Sequence, residues 1–344
     1  MRSPLEVGNV AIAPGERMTI DLPVSVLSDH TPVNMSVHAV NGKREGPTLF
    51  VSAAVHGDEV IGVEIARRLL RVPALATMRG TLLVVPIVNT FGFLNRSRYL
   101  PDRRDLNRTF PGSERGSLAG RLAHIFMTEV VERSDVGIDL HSAAIHRVNL
   151  PQVRVSQTDA KASELAQRFG APVILTSELR EGSLRHAAQE RGVPVLVYEA
   201  GEGLRFDELA VRAGVTGILR VMHALEMIPR RSVSRRQVSS IVATSSSWVR
   251  APAGGLLRTY RPTGAQVEEG EALGVVADPF GETEVEVHAS RTGIIVGKAN
   301  LPIVNEGDAL FNIAVTSQTG LEFTVDAIAA QLEADPLFDE DEII

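Results

Sequence analysis

The sequence predicts an α/β fold with a mixed, mostly parallel central sheet flanked by helices, followed by a small all-β unit. Three observations lead there. Several short apolar runs lack alternation, the pattern of strands covered on both faces. These runs alternate with stretches of helical apolar spacing. Beyond residue 230 the helical spacing stops, and short strands separated by Gly, Pro and acidic turns take over.

Residues 33–40 (VNMSVHAV) alternate like a half-buried strand and run into an Asn41-Gly42 turn. TLFVSAAV at 48–55 reads as a fully covered strand, and DEVIGVEIARRLL at 58–70 as the helix after it. TLLVVPIV (81–88), VGIDL (136–140) and VPVLVY (193–198) are further apolar strands, while 118–132 and 206–228 have helical spacing. RRSVSRR (230–236) and SSIVATSSS (239–247) read as a polar, basic linker rather than an anion-binding patch. The chain therefore divides into an α/β domain at 1–230, a linker at 231–248, a small barrel- or sandwich-like β domain at 249–317 and an amphipathic stretch with an acidic tail at 318–344.

Length and composition narrow the function. The 344 residues suffice for one large and one smaller domain, and 44% apolar with 22% charged residues excludes disorder along the whole chain. Cysteine is absent, which removes disulfides, thiolate nucleophiles, iron-sulfur clusters and cysteine-type zinc sites; any metal must sit on His, Asp or Glu. The net charge is -7, but Glu333, Asp335, Asp339, Glu340, Asp341 and Glu342 supply six of those charges, leaving the body nearly neutral. That balance argues against nucleic acid as a partner. No apolar run reaches the roughly 18 residues that span a bilayer, and the amino terminus lacks a signal-peptide core, so no membrane partner and a cytoplasmic location are expected.

The chemistry lies just after the strands, where open α/β sheets bind ligands. Strand 48–55 ends in His56-Gly57-Asp58-Glu59, strand 136–140 in His141-Ser142, and strand 193–198 in Glu199-Ala200-Gly201. His56 and Glu59 are three residues apart, so one helical turn can aim both at a single point, with His141 arriving from another strand. Two His and a carboxylate with an open fourth position form a recognised catalytic zinc arrangement, with Glu199 left as the unbound base. Neither H-E-x-x-H nor H-x-x-E-H occurs, because Val60 follows Glu59, and G-x-S-x-G is also absent. An isolated H-x-x-E pair is often a surface turn with a helix-start carboxylate. The additional strand-end His and Glu favour zinc over that alternative. Within SRYLPDRRDLNRTFPG (97–112), Asn107 and Arg108 suit an anionic substrate group, against the alternative of a solvated arginine-rich loop.

Together HGDE, DLNRTFPG, DLHS and YEAG resemble the succinylglutamate desuccinylase and aspartoacylase family, relatives of the zinc carboxypeptidases, in the family's order and over most of residues 30–230. The resemblance implies a zinc-carboxypeptidase-like domain followed by a β domain. It places the zinc ligands at His56, Glu59 and His141, one Zn2+ per chain, and the catalytic glutamate at Glu199. Asn107 and Arg108 fall on the pair that binds the substrate carboxylate, and Arg98 on the arginine that polarises the scissile carbonyl. Two residues are added between SRY and DLNR relative to aspartoacylase, so Arg103 or Arg104 is an alternative for that role. The tyrosine that aspartoacylase contributes from its β domain has no match; Tyr260 reads as a core or surface residue.

Other features have plainer readings. Asp139 suits either a partner for a zinc-bound His141 or a buried structural role. His124 reads as solvated, His146 as a loop-surface residue with a place in the cleft lining as the alternative, and Gly201-Glu202-Gly203 as a tight turn, since a carboxylate opposes an anion there. The β unit is similar to biotinyl and lipoyl carriers, but no lysine lies between Lys161 and Lys298, and Lys298 is not in a carrier hairpin. The unit could instead wall the cleft or supply a contact in a homo-oligomer. The sequence thus predicts a zinc-dependent hydrolase that removes a small acyl group from an N-acyl amino acid, its substrate a small anionic N-acyl metabolite. A carboxypeptidase or amidase of short peptides and a non-catalytic metabolite-binding scaffold are the alternatives.

Overall fold

The computed structural model describes residues 2–233 and 240–316. The amphipathic stretch and acidic tail at 318–344, and most of the RRSVSRR run, lie outside the described residues. In chain order the first strands are β1 (Leu5–Val7), β2 (Val10–Ile12), β3 (Arg17–Val26), β4 (Pro32–Asn41), β5 (Arg44–Ala53) and β6 (Arg79–Val85). Next come β7 (Val136–Ala143), β8 (Arg147–Val155), β9 (Val173–Thr176) and β10 (Val195–Glu202). The carboxy-terminal strands are β11 (Ile241–Ala243), β12 (Ser245–Arg250), β13 (Gly255–Thr259), β14 (Gln266–Val267), β15 (Ala272–Ala277), β16 (Glu284–His288), β17 (Gly293–Ala299), β18 (Ile303–Val304) and β19 (Ala309–Val315). The helices are α1 (Ile61–Leu69), α2 (Thr90–Asn95), α3 (Leu118–Glu129), α4 (Ala160–Phe169), α5 (Leu184–Glu190) and α6 (Glu208–Ala224).

A mixed sheet organises the molecule. Its centre is parallel, in the spatial order β6-β5-β7-β10, and β4 and β8 run antiparallel on either side. Every residue of β7 is buried, which explains why its run shows no alternation. In β5, Leu49, Val51 and Ala53 pack on one face of the sheet and Phe50 on the other, the period-two geometry of a strand. Helices α1, α4 and α6 cover the first face with Ile61, Ile65, Phe169 and Ile218; α3 and α5 cover the second with Leu122, Phe126 and Leu184. Each fully buried side chain of this size contributes about 1.5–3 kcal/mol. Polar caps start the helices: Ser117, Asp159, Ser183 and Asp207 accept from the backbone N–H three residues on.

Four segments differ from the sequence expectation. β3 precedes the first strand expected from the sequence, and Ile20, Leu22 and Val24 alternate inward along it. β8, β9, α4 and α5 fill residues 147–190, for which no element was expected. Residues 241–247 read as linker, yet β11 pairs in parallel with β9 and buries Ile241 and Ala243, while β12 pairs with β19. The fourth difference concerns the carboxy-terminal strands: β17 pairs antiparallel with β8, so β12, β19 and β17 continue the central sheet. A separate sheet, β16-β15-β13-β18, closes over a core of Val249, Leu257, Leu273 and Phe311. Among the described residues no helix is long and apolar enough to cross a membrane.

Candidate metal centre

The neighbouring strands β5, β7 and β10 send their carboxyl ends to one place. After β5 the chain turns through His56-Gly57-Asp58-Glu59 into α1. A Cβ on Gly57 would lie 1.9 Å from the Gly92 carbonyl carbon, so glycine is needed for α2 to pack against this turn. Glu59 sits between the two imidazoles, with Oε1 2.7 Å from His56 Nδ1 and Oε2 2.7 Å from His141 Nδ1. All three residues are buried, and their potential ligand atoms lie within 4.8 Å of one another. The remaining ring nitrogens face carboxylates: His56 Nε2 is 3.1 Å from Asp105 Oδ1, and His141 Nε2 is 2.7 Å from Asp139 Oδ2. The Ser52 hydroxyl donates to the other Asp139 oxygen at 2.7 Å.

This packing sets the electrostatics. Burial disfavours a charged His56, but the Glu59 carboxylate and hydrogen bonds with Asp105 and Glu59 outweigh it and raise the pKa. Burial opposes charge on His141 too, and Asp139 with Glu59 nonetheless lifts it well above the usual histidine value. Glu59 is fully buried, which alone would raise its pKa; the two imidazoles instead hold it far below the carboxylate range. For Asp105, burial is likewise overcome, here by His56 and Arg98. The cluster is therefore built around positive charge. Two imidazole nitrogens and a carboxylate converge on one point, and each outer ring nitrogen is fixed by an aspartate. That donor set fits a zinc ion of the two-His, one-carboxylate type.

Around the cluster lies a cleft of about 420 Å³, within the range of small-molecule sites. Arg98 lines it, with Nη2 donating to Asp105 Oδ2 at 2.9 Å and Nη1 3.4 Å from Glu59 Oε1. Arg103 and Arg104 are exposed and not among the lining residues, and Arg104 pairs with Asp102 at 3.5 Å. Asn107 and Arg108 both line the cleft, and Asn107 Oδ1 accepts from the Leu184 N–H at the start of α5. Glu199 lines it from β10, in register with His141 on β7. Asn149 Nδ2 donates to Glu199 Oε2 at 2.8 Å, and Arg154 Nη2 is 3.3 Å from the same oxygen. Ser246, Trp248 and Asn312 line the cleft from the carboxy-terminal strands, and the Arg147 guanidinium lies 5.2 Å from the Trp248 ring centroid. Tyr260 is exposed and does not line the cleft.

Fold and site together define an α/β protein with a buried His-Glu-His group at the carboxyl ends of its central parallel strands. The chain belongs to the succinylglutamate desuccinylase/aspartoacylase family, whose catalytic-domain profile matches residues 45–225. It is 30% identical over 283 residues to an N-alpha-acetyl-L-2,4-diaminobutyric acid deacetylase of Halomonas elongata, covering 78% of this chain and 82% of that protein. A succinylglutamate desuccinylase of Pseudomonas aeruginosa is 29% identical over 119 residues, 32% of this chain and 35% of the relative. The product-bound ectoine utilization protein EutE of Ruegeria pomeroyi has the same fold: TM-score 0.78, 23% identity, 88% of this chain and 95% of that one. A succinylglutamate desuccinylase/aspartoacylase from Rhodobacter sphaeroides aligns similarly, with TM-score 0.77, 24% identity and the same shares of each chain. The family and the fold class predicted from the sequence are borne out.

Sequence reasoning missed several residues of the site. Asp105 stands inside DLNR, where its signal was available. Asn149, Arg154 and Trp248 lie in strands that had no recognisable pattern. Arg185 is a further case: burial, and next the nearby Arg154, lower its pKa to about 10. Its Nη2 donates to the Ser177 hydroxyl at 3.0 Å, while the buried Nη1 beside the cleft has no hydrogen-bond partner among the described residues.

Proposed function

We propose that the chain is a zinc-dependent amidohydrolase that removes a small acyl group from an N-acyl amino acid, with one zinc ion per chain. The observation that best supports this reading is the meeting of His56, Glu59 and His141 at the ends of neighbouring strands, with Glu199 beside them on the next strand. His56, Glu59 and His141 would hold the metal. When bound there, zinc lowers the pKa of a water to about 7 and polarises a carbonyl.

The chain's own residues supply the rest. Glu199 accepts the proton of the attacking water and returns it to the departing amine, a role that contributes about 10²–10⁴ in rate. Arg98 stabilises negative charge developing on the carbonyl oxygen. Arg108, as a planar fork, pairs with the substrate carboxylate, and Asn107 adds a donor next to it. The Halomonas deacetylase is named for an acetylated diamino acid, which makes N-acetyl diamino acids the first substrates to try.

The test combines metal analysis with a deacylation screen. Protein purified without chelator should contain close to one zinc per chain. It should hydrolyse at least one N-acetyl, N-succinyl or N-formyl amino acid or diamino acid faster than it cleaves short peptides. A chain with no zinc affinity, or one that prefers peptides, refutes the reading.

A further inference from the structure

Glu199 is held from one side only. Its Oε2 takes both the Asn149 hydrogen bond and the Arg154 ion pair, and among the described residues no hydrogen bond engages Oε1. Both partners come from β8, the antiparallel neighbour of β10, on which Gln152 is the register partner of Glu199. Asn149 is itself buried, 7% exposed. On the far side of β8 lies β17, where Gly297 is the register partner of Asn149. A Cβ at Gly297 would stand 2.8 Å from Asn149 Oδ1, too close for the present placement of that amide. Among the described residues the buried Arg154 Nε has no hydrogen-bond partner, while its Nη2 is turned to Glu199.

We propose that Asn149 and Arg154 are positioning residues for the Glu199 carboxylate, and that Gly297 on β17 preserves the space that keeps Asn149 in place. Two charge-assisted contacts on one oxygen restrict rotation of the carboxylate and leave Oε1 free of protein hydrogen bonds among the described residues. The carboxy-terminal strands thereby act on the proton-transfer group through one intervening strand. This inference rests on the reading of Glu199 as the base.

The experiment is a double-mutant cycle on the zinc-loaded full chain. Asn149→Leu and Arg154→Met should each lower kcat about 10–100-fold, the usual size of an outer-shell effect. Both residues also line the cleft, so the KM–kcat split discriminates: if they act through Glu199 and not on the substrate, KM should move less than about 3-fold and zinc content should not change. In a Glu199→Gln background the same changes should lower kcat by less than about 3-fold, because a group acting through Glu199 has nothing left to position. Gly297→Ala should lower kcat by about 3–10-fold with zinc retained, within the range of coupling between contacting residues. A loss undiminished in the Glu199→Gln background, an effect confined to KM, or wild-type kcat in the single variants overturns the proposal. Wild-type kcat in Gly297→Ala overturns the part assigned to β17. Should Asn149→Leu fail to fold, Arg154→Met decides, since it removes a buried unpaired N–H. Full activity of Glu199→Gln alone would instead refute the base reading, an outcome distinct from the others.

Discussion

The carboxyl ends of β5, β7 and β10 and the carboxy-terminal strands of residues 241–315 meet at one cleft with different equipment. The first region packs titratable groups together: His56, Glu59, Asp139 and His141 are all at most 4% exposed, and burial together with the neighbouring charges shifts the proton affinities of His56, Glu59 and His141. The second packs an apolar core of Leu273, Phe311 and Ile313, and offers the cleft only Ser246, Trp248 and Asn312. Charge is concentrated where the parallel strands end, and shape is supplied from across the cleft. The two regions should therefore fail in different ways when altered.

The largest expected effect is on the parallel side. His141→Ala should abolish zinc retention and reduce turnover to background, as measured by metal content after dialysis and by rate. If the variant keeps its zinc, the cluster is not the metal centre. A smaller effect should follow one step outward, at the aspartate that fixes the same imidazole. Asp139→Asn should weaken metal affinity about 10–100-fold, measured by competition with a chelator, while the protein remains folded. An unchanged affinity would mean that the 2.7 Å contact is only structural. The smallest effect should appear across the cleft. Trp248→Ala should leave zinc content unchanged and shift the ratio of kcat/KM between bulky and small amine portions by about 10-fold towards the bulky ones, as removal of a pocket wall predicts. A loss of zinc in that variant would erase the distinction between the two regions.

Much of the first region was legible in the sequence because its information is local. Each of His56, His141 and Glu199 closes a short apolar run, and Glu59 follows His56 at a spacing that one turn brings together. The pairing of β8 with both β10 and β17 was not legible. RVNLPQVRV contains a proline and two arginines, and its meaning depends on partners about 50 and 150 residues further along the chain. Asn149 and Arg154 acquire a relation to Glu199 only through that register. Trp248 was hidden for a similar reason: SSSWVR has little apolar content, and it becomes a strand because β19 supplies its hydrogen bonds. Asp105 was the exception, since it stood within a motif already singled out and was passed over in favour of Asn107 and Arg108.

The ladder from β12 through β19 and β17 to β8 also bears on how such chains can be recombined. The carboxy-terminal strands are contiguous in the chain, but an exchange of residues 241–315 would have two seams, the β11–β9 pairing and the β17–β8 pairing, the latter one strand from Glu199. A chimera that imported residues 241–315 from a relative while keeping the native β8 would have to match Gly297 to Asn149 across that seam. Selectivity would then be transplanted best together with β8 and β9, since a graft of residues 241–315 alone sets foreign strands against both, including the strand that bears Asn149 and Arg154.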